Sequence, residues 1–156
     1  MTDNFERAMA ELQEQILQEA RSYYSAKVVE EFYQPKNVGV IMEPDGYGSV
    51  LGPCGDTMDI YLRLDGQRIV KAAFMTDGCG ATIACGSMLT QMAEDQSLEE
   101  AAAITPEDLT QALDGLPEEH AHCAVLAVDT LQAAIASSSQ EKAPVPAGPT
   151  AGENQA

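Results

Sequence analysis

The chain has no tryptophan, and aromatic residues make up only 5% of it. It is 45% hydrophobic, but much of that fraction is alanine. A real but modest core is expected, enough for one domain. No apolar run approaches the ~20 residues that span a bilayer, so a membrane helix is excluded. Basic residues are scarce: 8 Lys and Arg stand against 25 Asp and Glu, for a formal net charge of -17. Such a chain repels phosphate backbones, which argues against nucleic acid. It favours docking onto a basic partner, although most of the charge is expected to be solvated surface. No internal repeat and no CxxC pair occurs. The opening "MTDNFERAMAELQEQ" carries no signal-peptide pattern, so a cytoplasmic protein is expected.

What is present is four dispersed cysteines, Cys54, Cys79, Cys85 and Cys123. In a reducing cytoplasm such thiols are packing residues, metal ligands or reactive groups rather than structural disulfides. Their positions differ in kind. Cys54 follows Pro53 on a turn before an expected strand. Cys79 sits in "DGCG", between an expected strand and a helix. Cys123 sits in "EEHAHC", at the start of the last expected helix. These are element ends, where ligands converge. Cys85 falls mid-helix and reads as a small core residue.

The surrounding pattern predicts an α+β fold: a small antiparallel three-stranded sheet with helices beside it. Residues 3 to about 33 read as helical, with Phe5, Met9, Leu12, Ile16 and Ala20 in one stripe. A break into two helices near Arg21 to Ser25 is equally compatible. "TMDIYLRL" alternates with period two, "DGQ" reads as a hairpin turn, and "RIVKAAFMT" returns; "YGSVLG" is the candidate third strand. From Cys79 the pattern is helical. Ser97 and Thr105 read as helix caps, and a last helix covers roughly 120 to 136. Residues 137–156 read as a disordered tail, poor in apolar bulk.

A helix N-terminus stabilises thiolate, so low thiol pKa values are expected at Cys79 and Cys123. Gly78, Gly80 and Gly55 are expected to let backbone approach a bulky inorganic ligand. Asp56 adds a hard oxygen beside Cys54. His122 is next to Cys123, and side chains of adjacent helical residues point about 100° apart. Both reach one site only at a frayed first turn. Thiolates with Asp or His suit either zinc or an iron–sulfur cluster.

"YSAKVVEEFYQPKNVG", "CGDTM", "DGCGATIACGSM" and "HCAVLAVDTLQAAI" together resemble the NifU/IscU family of iron–sulfur cluster scaffolds. The resemblance covers about residues 23 to 136. It implies an N-terminal helical extension at 1–22, a scaffold domain at 23–136 with helices on one face of the sheet, and the tail at 137–156. It places the cluster ligands at Cys54, Cys79 and Cys123, with Asp56 and His122 as further ligands. It implies persulfide sulfur from a cysteine desulfurase, with Cys123 as acceptor, and iron. A transient [2Fe-2S] cluster then passes to apo-proteins, with a homodimer as one form. Zinc is expected to fit the same site. Asp56 is read as the weak ligand that allows release.

Departures from the family are "LPEEHAHC", where His120 stands in the place of a lysine, Cys85 in place of a small residue, and about 20 leading residues. Those leading residues are expected to pack on the domain or mediate oligomerisation. On this resemblance the chain is expected to carry only the scaffold module of a NifU-type protein. Rival readings are a structural or regulatory zinc domain, a zinc-bearing sulfur acceptor, and a hydrolase using Cys123, His122 and Asp56. The compact stretch from 88 to 121 argues against the second. Neighbouring Cys and His on one helix argue against the third.

Overall fold

The computed structural model describes residues 2–138. Element order is α1 (Thr2–Tyr23), α2 (Ala26–Tyr33), β1 (Gly46–Leu51), β2 (Thr57–Asp65), β3 (Arg68–Thr76), α3 (Gly80–Ala93), α4 (Leu98–Ala102), α5 (Pro106–Ala112) and α6 (Ala121–Ser138). A 3-10 turn, Glu118–His120, leads into α6. The expected α+β architecture is present. Of the expected tail, residues 139–156 lie outside the described residues.

The sheet is an antiparallel meander in the order β1-β2-β3. Gly66, at φ 65, makes the turn between β2 and β3, a backbone region that glycine enters without steric cost. Met58, Ile60 and Leu62 alternate along β2 and are buried, as are their neighbours Phe74 and Ala72 on β3. That face carries α3 and α6, and the main core lies between. The opposite face is less bare than the alternation predicts. Tyr61 is buried there with Ile41 and Ala73, against the ring of Tyr47.

The partners of Ile60 and Leu62 on β1 are Gly48 and Gly46, so two of the three inward positions of β1 carry no side chain, Val50 opposite Met58 being the third. This lets α6 rest directly on the strand. A Cβ on Gly48 would lie 2.5 Å from the Ala134 nitrogen and 2.6 Å from the Thr130 carbonyl oxygen. The close contact fixes where α6, and hence Cys123, sits relative to the β1–β2 turn.

The long N-terminal helical reading resolves into two helices. Ser25 caps α2 by accepting a hydrogen bond from the Val28 N–H, while its hydroxyl donates to the Leu113 carbonyl. The chain therefore breaks at Tyr24 and Ser25, and α2 turns onto α3. Glu31 of α2 is buried, yet its carboxylate accepts from Ser87 and Gln91 of α3 and faces Lys36 at 3.8 Å. The apolar stripe on α1 does not pack on the domain: Phe5, Met9, Leu12 and Ile16 are all exposed. The Ser97 and Thr105 capping boxes form as expected. Among the described residues, no helix is long and apolar enough to cross a membrane.

Candidate metal centre

Three boundaries meet at one end of the sheet. The β1–β2 turn brings Cys54 and Asp56, the β3–α3 junction brings Cys79, and the start of α6 brings His122 and Cys123. The turn is closed by the Gly52 N–H donating to Asp56 O at 2.7 Å and the Gly55 N–H to Gly52 O at 3.1 Å. Gly55 has φ 91, a conformation that side chains resist. Asp77 clamps the start of β2 by accepting from the Thr57 N–H at 2.8 Å. Thr76 donates to Thr57 O at 2.6 Å and accepts from the Gly78 N–H. The strand ends therefore hold the two turns together. Between them lies an open cleft of about 490 Å³, lined in part by Cys54, Asp56, Cys79, His120 and His122.

A residue absent from the sequence reading sits at the hub. Thr82, fully buried on α3, has its hydroxyl 3.2 Å from Asp56 Oδ2, 3.3 Å from Cys123 Sγ and 3.7 Å from Cys79 Sγ. Its one hydrogen serves the carboxylate or either sulfur in turn, and its lone pairs accept from a thiol. The only sequence signal was its place three residues after the helix cap Cys79, where a short polar side chain faces back to the cap. Gly78 also gains a different reason. A Cβ there would lie 2.7 Å from both Asp56 Oδ2 and Thr82 Cβ. Its bareness admits the carboxylate to Thr82. Gly80 faces the Phe32 ring, and a Cβ on Gly55 would meet nothing within 4 Å.

The cysteines divide by environment. Cys54 and Cys79 are exposed, while Cys85 and Cys123 are buried. At Cys79 burial pushes the thiol pKa up, but hydrogen bonds from the Thr82 backbone and hydroxyl and the Ala81 backbone outweigh it, and the net shift is downward. Cys123 departs from expectation. Burial lifts its thiol to about 11, against a partial offset from the Thr82 hydroxyl, with the nearby Cys79 charge adding to the rise. Desolvation thus overrides the helix N-terminus at that position. Cys85 is raised strongly by burial and behaves as the core residue expected.

The two histidines also separate. His122 Nε2 lies 3.3 Å from Cys54 Sγ and 3.8 Å from Cys123 Sγ. It reaches across the cleft to the β1–β2 turn. His120 instead falls in with Cys79 and Cys123: one ligand atom from each lies within 4.8 Å of the others. A donor set of thiolates, a carboxylate and imidazoles suits a tetrahedral thiophilic ion or an iron–sulfur unit, and is poorly matched to magnesium or calcium.

The hub role of Thr82 has a direct test. In metal-free Thr82→Val protein, made on a Cys54→Ser background, the hydroxyl hydrogen bond that helps lower Cys79 is gone while the backbone ones remain. Its pKa rises, and alkylation by iodoacetamide near neutral pH slows severalfold, as followed by peptide mass spectrometry. An unchanged rate removes Thr82 from the account of Cys79.

The family of NifU-like N-terminal domains matches residues 23–143. The iron–sulfur cluster assembly scaffold protein IscU 1 of Archaeoglobus fulgidus is 47% identical over 113 residues, covering 72% of this chain and 74% of that protein. The scaffold protein IscU of Haemophilus influenzae is 41% identical over 118 residues, covering 72% and 93%. Among solved structures, the N-terminal part of a NifU-like protein from Brucella abortus superposes with a TM-score of 0.57 at 17% identity, covering 73% of this chain and 92% of that one. At that identity the likeness speaks for the fold alone.

Proposed function

Because the chain belongs to the family of NifU-like N-terminal domains, we propose that it is a scaffold on which iron–sulfur clusters are assembled. The observation that carries this reading is the convergence of Cys54, Asp56, Cys79 and Cys123, with the last three gathered on the Thr82 hydroxyl. The unit assembled is a [2Fe-2S] cluster, held by the three thiolates and Asp56, with His122 as the exchangeable neighbour of Cys54. A store of clusters would use thiolates throughout. Here a carboxylate takes one place, in an open cleft, and the site gives its cargo up. Zinc competes for the same donors.

Sulfur arrives as the terminal atom of a desulfurase persulfide. A scaffold thiolate attacks that atom, a new S–S bond forms, the old one breaks, and the desulfurase cysteine leaves as thiolate. Reduction of this sulfur to sulfide draws electrons from ferrous iron and from an external electron-carrier protein. We assign the acceptor role to Cys123. Its burial and raised pKa make the free thiol a poor nucleophile. A metal ion in the site displaces the proton and supplies the thiolate, which couples sulfur delivery to metal loading. A second reading assigns first acceptance to Cys79, which is exposed and has a lowered pKa. Partners on this reading are a cysteine desulfurase and apo-proteins, and the excess of acidic residues suits basic docking faces.

Anaerobic reaction with a cysteine desulfurase, cysteine, a reductant and ferrous iron tests both levels. The scaffold gains a visible sulfide-to-iron absorption band and then passes it to an apo-ferredoxin. Tight zinc that sulfur delivery cannot displace would sink the scaffold reading and favour a zinc-bearing sulfur acceptor. Mass spectrometry of Cys54→Ser, Cys79→Ser and Cys123→Ser proteins after one turnover locates the persulfide. We expect loss with Cys123→Ser alone; loss with Cys79→Ser instead transfers the role.

A further inference from the structure

The position of His120 calls for a use. It lies on the 3-10 turn before α6, one residue short of the helix. Its Nδ1 is buried and has no hydrogen-bond partner among the described residues. A polar atom in that state is uncommon in a folded protein, because nothing replaces the water it has lost. The neighbours of the ring give it a use. His120, Cys79 and Cys123 each offer a ligand atom, and these lie within 4.8 Å of one another. That spacing suits three donors about one cation.

We propose that Cys79, His120 and Cys123 form an entry site for a single metal ion, and that Tyr24 is its positioning residue. The proposal rests on the scaffold reading for its use, since the same two cysteines later hold the cluster. Tyr24 Oη lies 3.2 Å from His120 Nε2. When Nε2 carries the ring hydrogen and donates to Tyr24, Nδ1 is left as a bare lone pair. A partner on the far ring nitrogen is what fixes the tautomer of a metal-bound histidine. Tyr24 is itself held. Its ring meets Tyr23 edge-on at 4.7 Å, and the Tyr23 hydroxyl donates to the Glu119 carboxylate on the same turn as His120. The junction between α1 and α2 thus fastens the turn that aims His120.

His122 fills a different role. Its Nε2 is nearer to Cys54 Sγ than to Cys123 Sγ, at 3.3 against 3.8 Å. Both imidazoles reach Cys123, and they differ in the second thiol each meets, Cys79 for His120 and Cys54 for His122. His120 serves the Cys79–Cys123 side and His122 the Cys54 side. Two thiolates and one imidazole, with a fourth place open to Asp56 or water, fit a tetrahedral ferrous or zinc ion. Such an ion holds Cys123 as thiolate before sulfur arrives.

Anaerobic titration of the full chain with Co²⁺ tests this, since its visible bands report tetrahedral geometry and its thiolate charge-transfer bands report sulfur ligands. His120→Gln keeps a donor toward Tyr24 but removes the imidazole. It is expected to lower Co²⁺ affinity by about 100-fold, and Tyr24→Phe by about tenfold. His122→Ala should leave affinity nearly unchanged. X-ray absorption should show imidazole scattering in His122→Ala and none in His120→Gln. Circular dichroism confirms that each variant is folded. Equal losses in both histidine variants, or scattering lost with His122→Ala, overturn the assignment of His120. Unchanged affinity in Tyr24→Phe overturns the positioning role. If Co²⁺ binds as expected but no cluster forms with desulfurase sulfur, the scaffold reading fails while the metal site stands.

Discussion

An Asp56→Ala protein carrying a [2Fe-2S] cluster is expected to hand it to an apo-ferredoxin about tenfold more slowly than the unaltered chain. A tenfold change corresponds to about 1.4 kcal/mol, a modest difference for exchanging one ligand. The carboxylate comes from the β1–β2 turn and lies at the edge of an open cleft, where solvent and an incoming acceptor thiol reach it. Its tie to the protein is the Thr82 hydroxyl at 3.2 Å. Take the carboxylate away, and an imidazole of the same cleft, such as His122 at 3.3 Å from Cys54 Sγ, is free to take its place. An imidazole nitrogen holds iron with less exchange than a monodentate carboxylate, so release slows. The fold should survive, because Asp56 contributes no core surface; circular dichroism and an unchanged melting temperature check this. Equal transfer rates in the two proteins would remove Asp56 from the release step.

Gly48→Ala is expected to have the largest effect on stability. The added methyl would meet backbone atoms of α6 at 2.5 and 2.6 Å and the Ala133 side chain at 2.9 Å. A flexible side chain could move aside. A helix backbone cannot, so α6 must shift as a body or the strand must bend. Overpacking of this kind costs about 3 kcal/mol. For a chain of this size that lowers Tm by roughly 6–12 °C. Ser49→Ala, one residue along on the exposed face, should move Tm little. The same displacement carries Cys123 away from Cys54, so metal affinity should fall with stability. A Tm within a degree or two of the unaltered chain would show that α6 does not rest on β1 as described.

Much of the fold was legible in the sequence. The period-two alternation of Met58, Ile60 and Leu62 was enough to place β2 and its buried face. The Ser97 and Thr105 capping boxes were readable because capping is a local hydrogen-bond exchange, settled within four residues. Cys85 declared itself by sitting mid-helix on an apolar pattern. The apolar stripe of α1 was readable as a helix, but not its exposure, since a stripe does not say what covers it. Nor did the local pattern fix the break at Tyr24. It depends in part on Ser25 donating to Leu113 O, far along the chain.

The candidate site divides the same way. Motifs at element ends singled out Cys54, Asp56, Cys79 and Cys123, because ligand residues cluster where backbones turn. Thr82 carried no comparable signal. A threonine in a helix is ordinary until Asp56 and Cys123 arrive beside it from other elements. The thiol of Cys123 was expected to be acidified by its helix. The structure buries it, and burial acts on charge more strongly than the partial charge of a helix end. The roles of His120 and His122 turned on the same limit. Sequence placed both within four residues of each other and of Cys123, and could not say which thiol each faces. That depends on the 3-10 turn, on the Tyr24 hydroxyl, and on how α6 lies over the bare glycines of β1. What the sequence by itself determined is the inventory of candidate ligands and the elements whose ends present them, since both follow from short-range chemistry. Which candidate donors come together, and which thiol is shielded, was decided only by tertiary structure, because those distances run between segments with no local means of sensing one another.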